Sequence, residues 1–304
     1  MLYANPPRTP MKTALITGGN SGIGKEAARA LVGLGWRVLI AARDAAKSEA
    51  LVRSIKAANP QAQIEWLSVD LSDFDAIGPF AAEVARRLPV IDALVLNAGL
   101  YTRKLTVNKS GIEMMFATTH LGHFLLSHHL LPNVKASSDG RIVVSSSLAQ
   151  WVGGQMDLDT LRSPSSSQFL QLVPFKAYGR AKLANMLFVR ELARRLKGTS
   201  IKVNGFHPGP VKSGFWRDTP AWVYAAVAPV LVSETVGAKT QVYLAAHEGL
   251  SVSGEYWAGC KVRQGSPANR DPSLAQKLWQ YSERVLGIEA FGVPSGQHLQ
   301  MKAG

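Results

Sequence analysis

Along almost the whole of this 304-residue chain, short β-branched runs alternate with stretches of helical periodicity. That alternation restricts the possible fold more than any other feature. The runs are Thr13–Thr17, Arg37–Ala41, Ile64–Val69, Ala93–Leu96, Arg141–Val144 and Ile201–Asn204, with a last candidate at Gly254–Trp257. Most are apolar without polar alternation, the mark of strands buried on both faces. Helical patterns fill the gaps at 22–34, 45–58, 73–87, 110–131, 177–197, 234–247 and 273–286. Strand and helix in turn imply a parallel sheet covered by helices on both sides. The expectation is a single doubly wound α/β domain of the Rossmann type over 12–287, with a mainly parallel seven-stranded sheet. A leader, 1–11, precedes it and a tail, 288–304, follows.

Charge and composition exclude several classes. The net charge of +13 admits nucleic acid, an anionic surface or an anionic small ligand as partner. A nucleic-acid binder concentrates its basic residues, whereas the longest basic runs here are the pairs Arg86-Arg87 and Arg194-Arg195. Both sit late in a helical pattern, where cations suit the helix dipole. No nucleic acid is expected. Cys260 is the single cysteine, so there is no intrachain disulfide and no cysteine-based zinc site. The leader has three prolines and no apolar core, and the longest apolar run, Ala221–Val232, contains Pro229 and is too short to span a bilayer. The expectation is a soluble, cytoplasmic protein without a transmembrane segment.

Two stretches break the alternation. Leu148–Lys176, which contains Trp151, is long for a connection without a role of its own. Pro208–Val232 is rich in proline and carries Phe215, Trp216, Trp222 and Tyr224. Aromatics after a strand's carboxyl end serve equally as core filler or as the lining of a pocket.

The first strand runs into Thr17-Gly18-Gly19-Asn20-Ser21-Gly22-Ile23-Gly24, and a helix follows. Glycines there let the backbone approach a pyrophosphate held at the positive end of the helix. The second strand ends in Ala41-Ala42-Arg43-Asp44. An arginine at that point accommodates the extra phosphate of NADP, and an acidic residue favours NAD. Arg43 comes first and Asp44 is placed to cap the next helix. The expected cofactor is therefore NADP(H), in preference to NAD(H).

Tyr178 and Lys182 are spaced i, i+4 and share one helix face. An ammonium about 4 Å from a phenol is worth on the order of 4 kcal/mol near a surface. That equals roughly three pK units, enough to bring a tyrosine from about 10 toward neutrality for acid–base work.

In this order and spacing the motifs resemble the short-chain dehydrogenase/reductase family. They are Thr17-Gly18-x-x-x-Gly22-Ile23-Gly24, Asn97-Ala98-Gly99, Ser147, Tyr178-x-x-x-Lys182 and Pro208-Gly209. A finer likeness is to the branch of retinol dehydrogenases and the WW-domain oxidoreductase. It is carried by His120-Leu121-Gly122-His123-Phe124, Lys182-Leu183-Ala184-Asn185, His207-Pro208-Gly209, Cys260-Lys261, Ser266-Pro267 and Leu278-Trp279.

The resemblance implies roles. Ser147 would hold the substrate oxygen, Tyr178 would transfer the proton, and Lys182 would lower its pKa and bind the nicotinamide ribose. Gly18, Asn20, Ser21, Gly22, Ile23 and Gly24 would cradle the cofactor phosphates, with Arg43 on the extra phosphate. Asp70 and Leu71 would flank the adenine, and Asn97, Ala98 and Gly99 would form a wall. Pro208, Gly209, Val211 and Ser213 would hold the nicotinamide. Ser147, Trp151, Tyr178, Phe215, Trp216 and Trp222 are the candidate substrate contacts. The expected substrate is a lipophilic ketone, aldehyde or secondary alcohol.

One position departs from the pattern. Where the family has Asn-His, this chain has Thr119-His120. That asparagine helps hold a proton-relaying water, and a threonine hydroxyl reaches less far and has one donor. Thr119 either serves a weakened relay or bonds back to its own helix. The rival reading is a catalytically damped cofactor-binding sensor or interaction module. A sugar-nucleotide epimerase fits less well, because little chain remains for a second lobe. His120 and His123 are accounted for by the family pattern, so no metal is expected, and Cys260 is read as packing. Family members often pair through the helix bearing Tyr178, so both monomer and homodimer stay open.

Overall fold

The computed structural model describes residues 11–154, 156, 158, 174–212 and 228–293. Eight strands form one sheet in the order β3-β2-β1-β4-β5-β6-β7-β8. They are β1 (Thr13–Thr17), β2 (Arg37–Ala42), β3 (Ile64–Ser68), β4 (Ala93–Leu96), β5 (Arg141–Ser145), β6 (Lys202–His207), β7 (Tyr256–Ala258) and β8 (Lys261–Arg263). All neighbours are parallel except β7 and β8. The eighth strand is the one that the periodicity misses. Lys261-Val262-Arg263 is exposed throughout and has no apolar run to announce it. It exists because the chain reverses at Gly259 and Cys260, both at left-handed φ (60° and 57°). Cys260 is held there by its N–H donating to Thr240 Oγ1 at 3.2 Å.

The helices are α1 (Gly22–Gly33), α2 (Ala45–Ala58), α3 (Phe74–Arg87), α4 (Met114–Phe116), α5 (Gly122–Lys135), α6 (Pro174–Arg195), α7 (Glu234–Ala246) and α8 (Pro272–Leu286). Successive strand residues face opposite layers. Leu15 packs with Ile77 of α3, Phe124 of α5 and Phe188 of α6. Its neighbours Ala14 and Ile16 pack with Leu31 of α1, Leu51 of α2 and Leu244 of α7. Truncating any one of these buried leucine, isoleucine or phenylalanine side chains to alanine costs about 2–5 kcal/mol.

Asp44 caps α2 as expected, its Oδ1 accepting from the Lys47 N–H at 3.0 Å. The expected helix 110–131 differs. It starts at Met114 and is interrupted by a π-turn, Ala117–Leu121, before α5. One extra residue per turn leaves apolar periodicity nearly unchanged, so the pattern does not reveal it. Packing also continues past residue 287. Phe291 lies with its ring centroid 4.8 Å from Phe124 and 4.6 Å from Trp279, and the Gly292 N–H donates to His128 Nδ1 at 3.0 Å.

Candidate active site

The strand order reverses between β1 and β4, and a crevice opens outside their carboxyl ends. The glycine turn closes one side of it. Gly18 and Gly22 adopt φ of 64° and 54°, open to glycine at no cost. A Cβ on Gly24 would come 2.5 Å from Asn97 Nδ2. Only glycine lets the first turn of α1 pack this closely on the glycine turn and on Asn97. Asn97 fastens β4 to this turn, its Nδ2 donating to the Thr17 carbonyl at 2.9 Å. Ala98 lies under Gly18, with its Cα 3.1 Å from where a Cβ would stand.

Arg43 directly follows β2, with its side chain 61% exposed and its guanidinium 3.7 Å from Asp70. Asp70 also accepts from Ser72 N–H at 2.9 Å. Leu71 packs into the core. Asn20 turns toward α2, donating to the Asp44 carbonyl and to Ser48 Oγ at 3.2 and 3.0 Å. Ser21 is the residue before α1 and makes no side-chain cap. On the opposite side, Pro208 and Gly209 follow β6, and Val211 bridges Val232. Val211 and Ile23 both press on Gly237, so this loop reaches the glycine turn. Ser213, Phe215, Trp216 and Trp222 lie outside the described residues.

Ser147, Tyr178 and Lys182 converge at the end of β5. Ser147 caps a 3-10 turn, Leu148–Val152, its Oγ accepting from the Ala149 N–H at 3.1 Å. The same hydroxyl bonds Tyr178 and pulls the phenol pKa down, but burial outweighs it and holds Tyr178 up at about 12. Lys182 Nζ stands 5.6 Å from the Tyr178 ring centroid. It donates to the Ser145 carbonyl at 3.1 Å and to Ser145 Oγ at 3.3 Å. Burial lowers Lys182 to about 8. The expected drop of the phenol toward neutrality is therefore not the balance found here. Desolvation penalises phenolate and ammonium alike.

The turn bearing Ser147 reaches Tyr178 through two glycines. A Cβ on Gly179 would stand 2.5 Å from the Ala149 carbonyl, and one on Gly153 would stand 2.8 Å from the Gly179 carbonyl. Backbone thus rests on backbone. Trp151, on the outer side of this turn, is 54% exposed.

Thr119 sits in the π-turn, fully buried, with an Oγ1 that has no partner. It does not bond back to its helix. Gly99, itself exposed, looks onto both groups: a Cβ there would come 3.3 Å from Lys182 Nζ and 3.5 Å from Thr119 Oγ1. His123 holds the π-turn in place. Its Nδ1–H donates to the Thr119 carbonyl at 2.9 Å, so Nε2, 2.8 Å away, accepts from Thr17 Oγ1. Burial keeps both His120 and His123 neutral, near 3. His120 Nε2 is 3.1 Å from Ser282 Oγ. Among the described residues, no three His, Cys, Asp or Glu side chains converge on a metal-sized site.

Sequence reasoning missed the supports of this site. Ser146 Oγ donates to the Lys182 carbonyl at 2.9 Å, and Asn185 Nδ2 donates to the Ser145 carbonyl at 2.9 Å. Gly153 and Gly179 are equally silent in the pattern. Asn185 and His123 carried a signal, as parts of Lys182-Leu183-Ala184-Asn185 and His120-Leu121-Gly122-His123-Phe124.

The chain is similar to known proteins over most of its length. The family model described as short chain dehydrogenase matches residues 12–157. Retinol dehydrogenase 14 of Mus musculus is 38% identical over 295 residues, spanning 91% of this chain and 86% of its own length. Retinol dehydrogenase 13 of Homo sapiens is 35% identical over 290 residues, spanning 92% and 86%. Among solved structures, an uncharacterized protein from Mycobacterium Paratuberculosis aligns with a TM-score of 0.74 and 30% identity, over 91% of this chain and 93% of that one. With its glycine turn, its Ser147–Tyr178–Lys182 cluster and relatives over most of its length, this chain belongs to the short-chain dehydrogenase/reductase family, in its retinol-dehydrogenase-like branch, and is an NAD(P)-dependent dehydrogenase/reductase.

Proposed function

We propose that the protein is an NADP(H)-dependent oxidoreductase that interconverts a lipophilic ketone or aldehyde and its alcohol. The observation that carries this reading is the convergence of Ser147, Tyr178 and Lys182 beside the glycine cradle. The cradle admits no Cβ at Gly24, and Arg43 offers an exposed cation at the end of β2. When bound, the nicotinamide supplies or accepts the hydride. Gly18, Asn20, Ser21, Gly22, Ile23 and Gly24 would hold its phosphates, Arg43 the 2′-phosphate, and Asp70 and Leu71 the adenine side. Asn97, Ala98, Gly99, Pro208, Gly209, Val211 and Ser213 would wall the nicotinamide side.

The chain's own residues handle the proton. Ser147 Oγ holds the substrate oxygen against Tyr178. A phenol kept protonated at neutral pH by its burial donates to the oxygen as negative charge develops. Lys182, at about 8, is poised to return a proton near neutrality. Thr119 Oγ1, buried and unpartnered, supports a shortened relay beyond Lys182. The names of the relatives point to retinol, and exposed Trp151, four residues after Ser147, suits an apolar substrate, as does the aromatic content of Phe215, Trp216 and Trp222 in the sequence. A soluble, cytoplasmic protein is consistent with finding no helix, among the described residues, long and apolar enough to cross a membrane. α8 and Phe291 cover Phe124 of α5 and Phe188 of α6, which supports a monomer rather than pairing through α6.

The test is NADPH oxidation with a panel of apolar aldehydes and ketones, in the wild type and in Tyr178→Phe. Turnover that Tyr178→Phe nearly abolishes, with NADPH binding retained, is expected. Ordinary activity in Tyr178→Phe sinks the mechanism. Tight NADPH binding with no turnover in the wild type favours the damped sensor, whose motive is Thr119.

A further inference from the structure

We infer that Gln150 is a positioning residue for Ser147, anchoring the catalytic turn to the carboxy-terminal part of the chain. This rests on the reading of Ser147 as the holder of the substrate oxygen.

The Leu148–Val152 turn has an exposed outer side, with Leu148, Trp151 and Val152 each at least 40% exposed. Apolar packing alone therefore does not seat it. Two residues of the turn are buried, Ala149 and Gln150, and Gln150 is the one whose side chain can form hydrogen bonds. Gln150 is buried, and its Oε1 accepts from Asn269 Nδ2 at 2.9 Å and from the Ser266 N–H at 3.4 Å. Asn269 is fully buried and is itself held. Its N–H donates to Ser266 Oγ at 3.3 Å, and its Oδ1 accepts from Arg190 Nε at 3.3 Å. Arg190 in turn pairs with Glu255 at 3.2 Å. The Nε2 end of Gln150 approaches the buried Tyr256 hydroxyl, and neither atom has a hydrogen-bond partner within range.

The anchor acts directly on Ser147. The Gln150 N–H donates to the Ser147 carbonyl at 3.2 Å, and the Ala149 N–H is the donor that orients Ser147 Oγ. Ala149 and Gln150 are adjacent, so a turn fixed by the Gln150 carboxamide fixes the N–H that aims the hydroxyl. Without the anchor, the buried Ala149, the bond from Ser147 to Tyr178 and the backbone contacts at Gly153 and Gly179 remain, and none of these ties the turn to the carboxy-terminal part of the chain. A buried carboxamide whose partners are removed is costly, so the network closes as a unit or not at all.

The test uses Gln150→Met, which keeps length and loses the acceptor, and Asn269→Asp, which loses the donor from the far end. Three readouts are taken on the full chain: deuterium exchange of the peptide over 145–154, NADPH affinity, and kcat/KM for a carbonyl that the wild type reduces. The expected result is at least tenfold faster exchange at Ala149 in both variants and about a tenfold loss of kcat/KM. NADPH affinity should stay within twofold, because the cradle lies elsewhere. The double variant should lose no more than the worse single one. Unchanged Ala149 exchange, or a lowered Tm with kcat/KM intact, overturns the inference. Should Gln150→Met fail to fold, Asn269→Asp decides alone. The two readings fail separately: an active Ser147→Ala protein refutes the role given to Ser147. A crippled Ser147→Ala protein beside an unaffected Gln150→Met refutes the anchor. If the wild type reduces no carbonyl, the exchange at Ala149 still decides whether Gln150 holds the turn.

Discussion

Replacing Gly179 by alanine should damage catalysis while sparing both the fold and cofactor binding. Gly179 lies inside α6, directly after Tyr178, and the turn bearing Ser147 rests on it. An added Cβ would stand 2.5 Å from the Ala149 carbonyl and 3.0 Å from Gly153 N and Val152 Cγ2. Ordinary contact begins at 3.4 Å, so the turn must retreat by 3.4 − 2.5, about 0.9 Å. A misplacement of about 1 Å in a catalytic constellation costs about a hundredfold in rate. Helix propensity acts the other way, since alanine within a helix is favoured over glycine by about 1 kcal/mol. The protein should therefore remain folded, with Tm near that of the wild type. The assay is kcat/KM for a reducible carbonyl, beside NADPH affinity and Tm. A loss between tenfold and a hundredfold is expected, with NADPH affinity within about twofold. Wild-type kcat/KM in a folded Gly179→Ala protein would refute the claim that this backbone contact sets the distance between Ser147 and Tyr178.

Three further outcomes follow from the same geometry. Arg43→Ala should weaken NADPH by about 10- to 100-fold and NADH far less, since a hydrogen bond to a charged group is worth about 1.5–3 kcal/mol; equal wild-type affinities by fluorescence titration would remove Arg43 as the selector. Thr119→Asn should raise NADPH-dependent turnover across pH if the orphaned hydroxyl limits proton return, whereas a loss would show a site rebuilt around threonine. Acid should unfold the protein early. His120 and His123 are held near 3 by burial, below the unfolded value near 6.5, so the unfolded state binds more protons between those limits and stability falls as pH drops through that window. Two such groups give a slope of up to about 2.7 kcal/mol per pH unit. Denaturant titrations between pH 6.5 and 4 that show uptake of less than one proton would contradict it.

The parts of the site that were legible in the sequence are those whose chemistry is local. A pyrophosphate cradle needs glycines in succession at one turn, and Gly18, Gly22 and Gly24 stand together. Tyr178 and Lys182 share a face because they are one helical turn apart. Asp44 caps α2 from the position directly before it. Arg43 directly follows a strand whose apolar run announces where it stops. In each case the partners are within a few residues, so spacing alone carries the geometry.

The alternation of strand and helix likewise determined the doubly wound sheet, because faces buried on both sides demand unbroken apolar runs. What spacing cannot express is contact between distant segments. Gly153 meets Gly179, His123 joins Thr17 to the Thr119 carbonyl, and Gln150 reaches Asn269 across 119 residues. β8 stayed hidden because an exposed edge strand has no core face to pattern. The π-turn at Thr119 stayed hidden because one added residue barely alters the apolar rhythm. The phenol of Tyr178 shows the same limit in its electrostatics. Proximity to Lys182 is written in the i, i+4 spacing, but burial is a property of the packed whole. Desolvation, decided only by the tertiary structure, holds Tyr178 protonated and makes Lys182 easier to deprotonate.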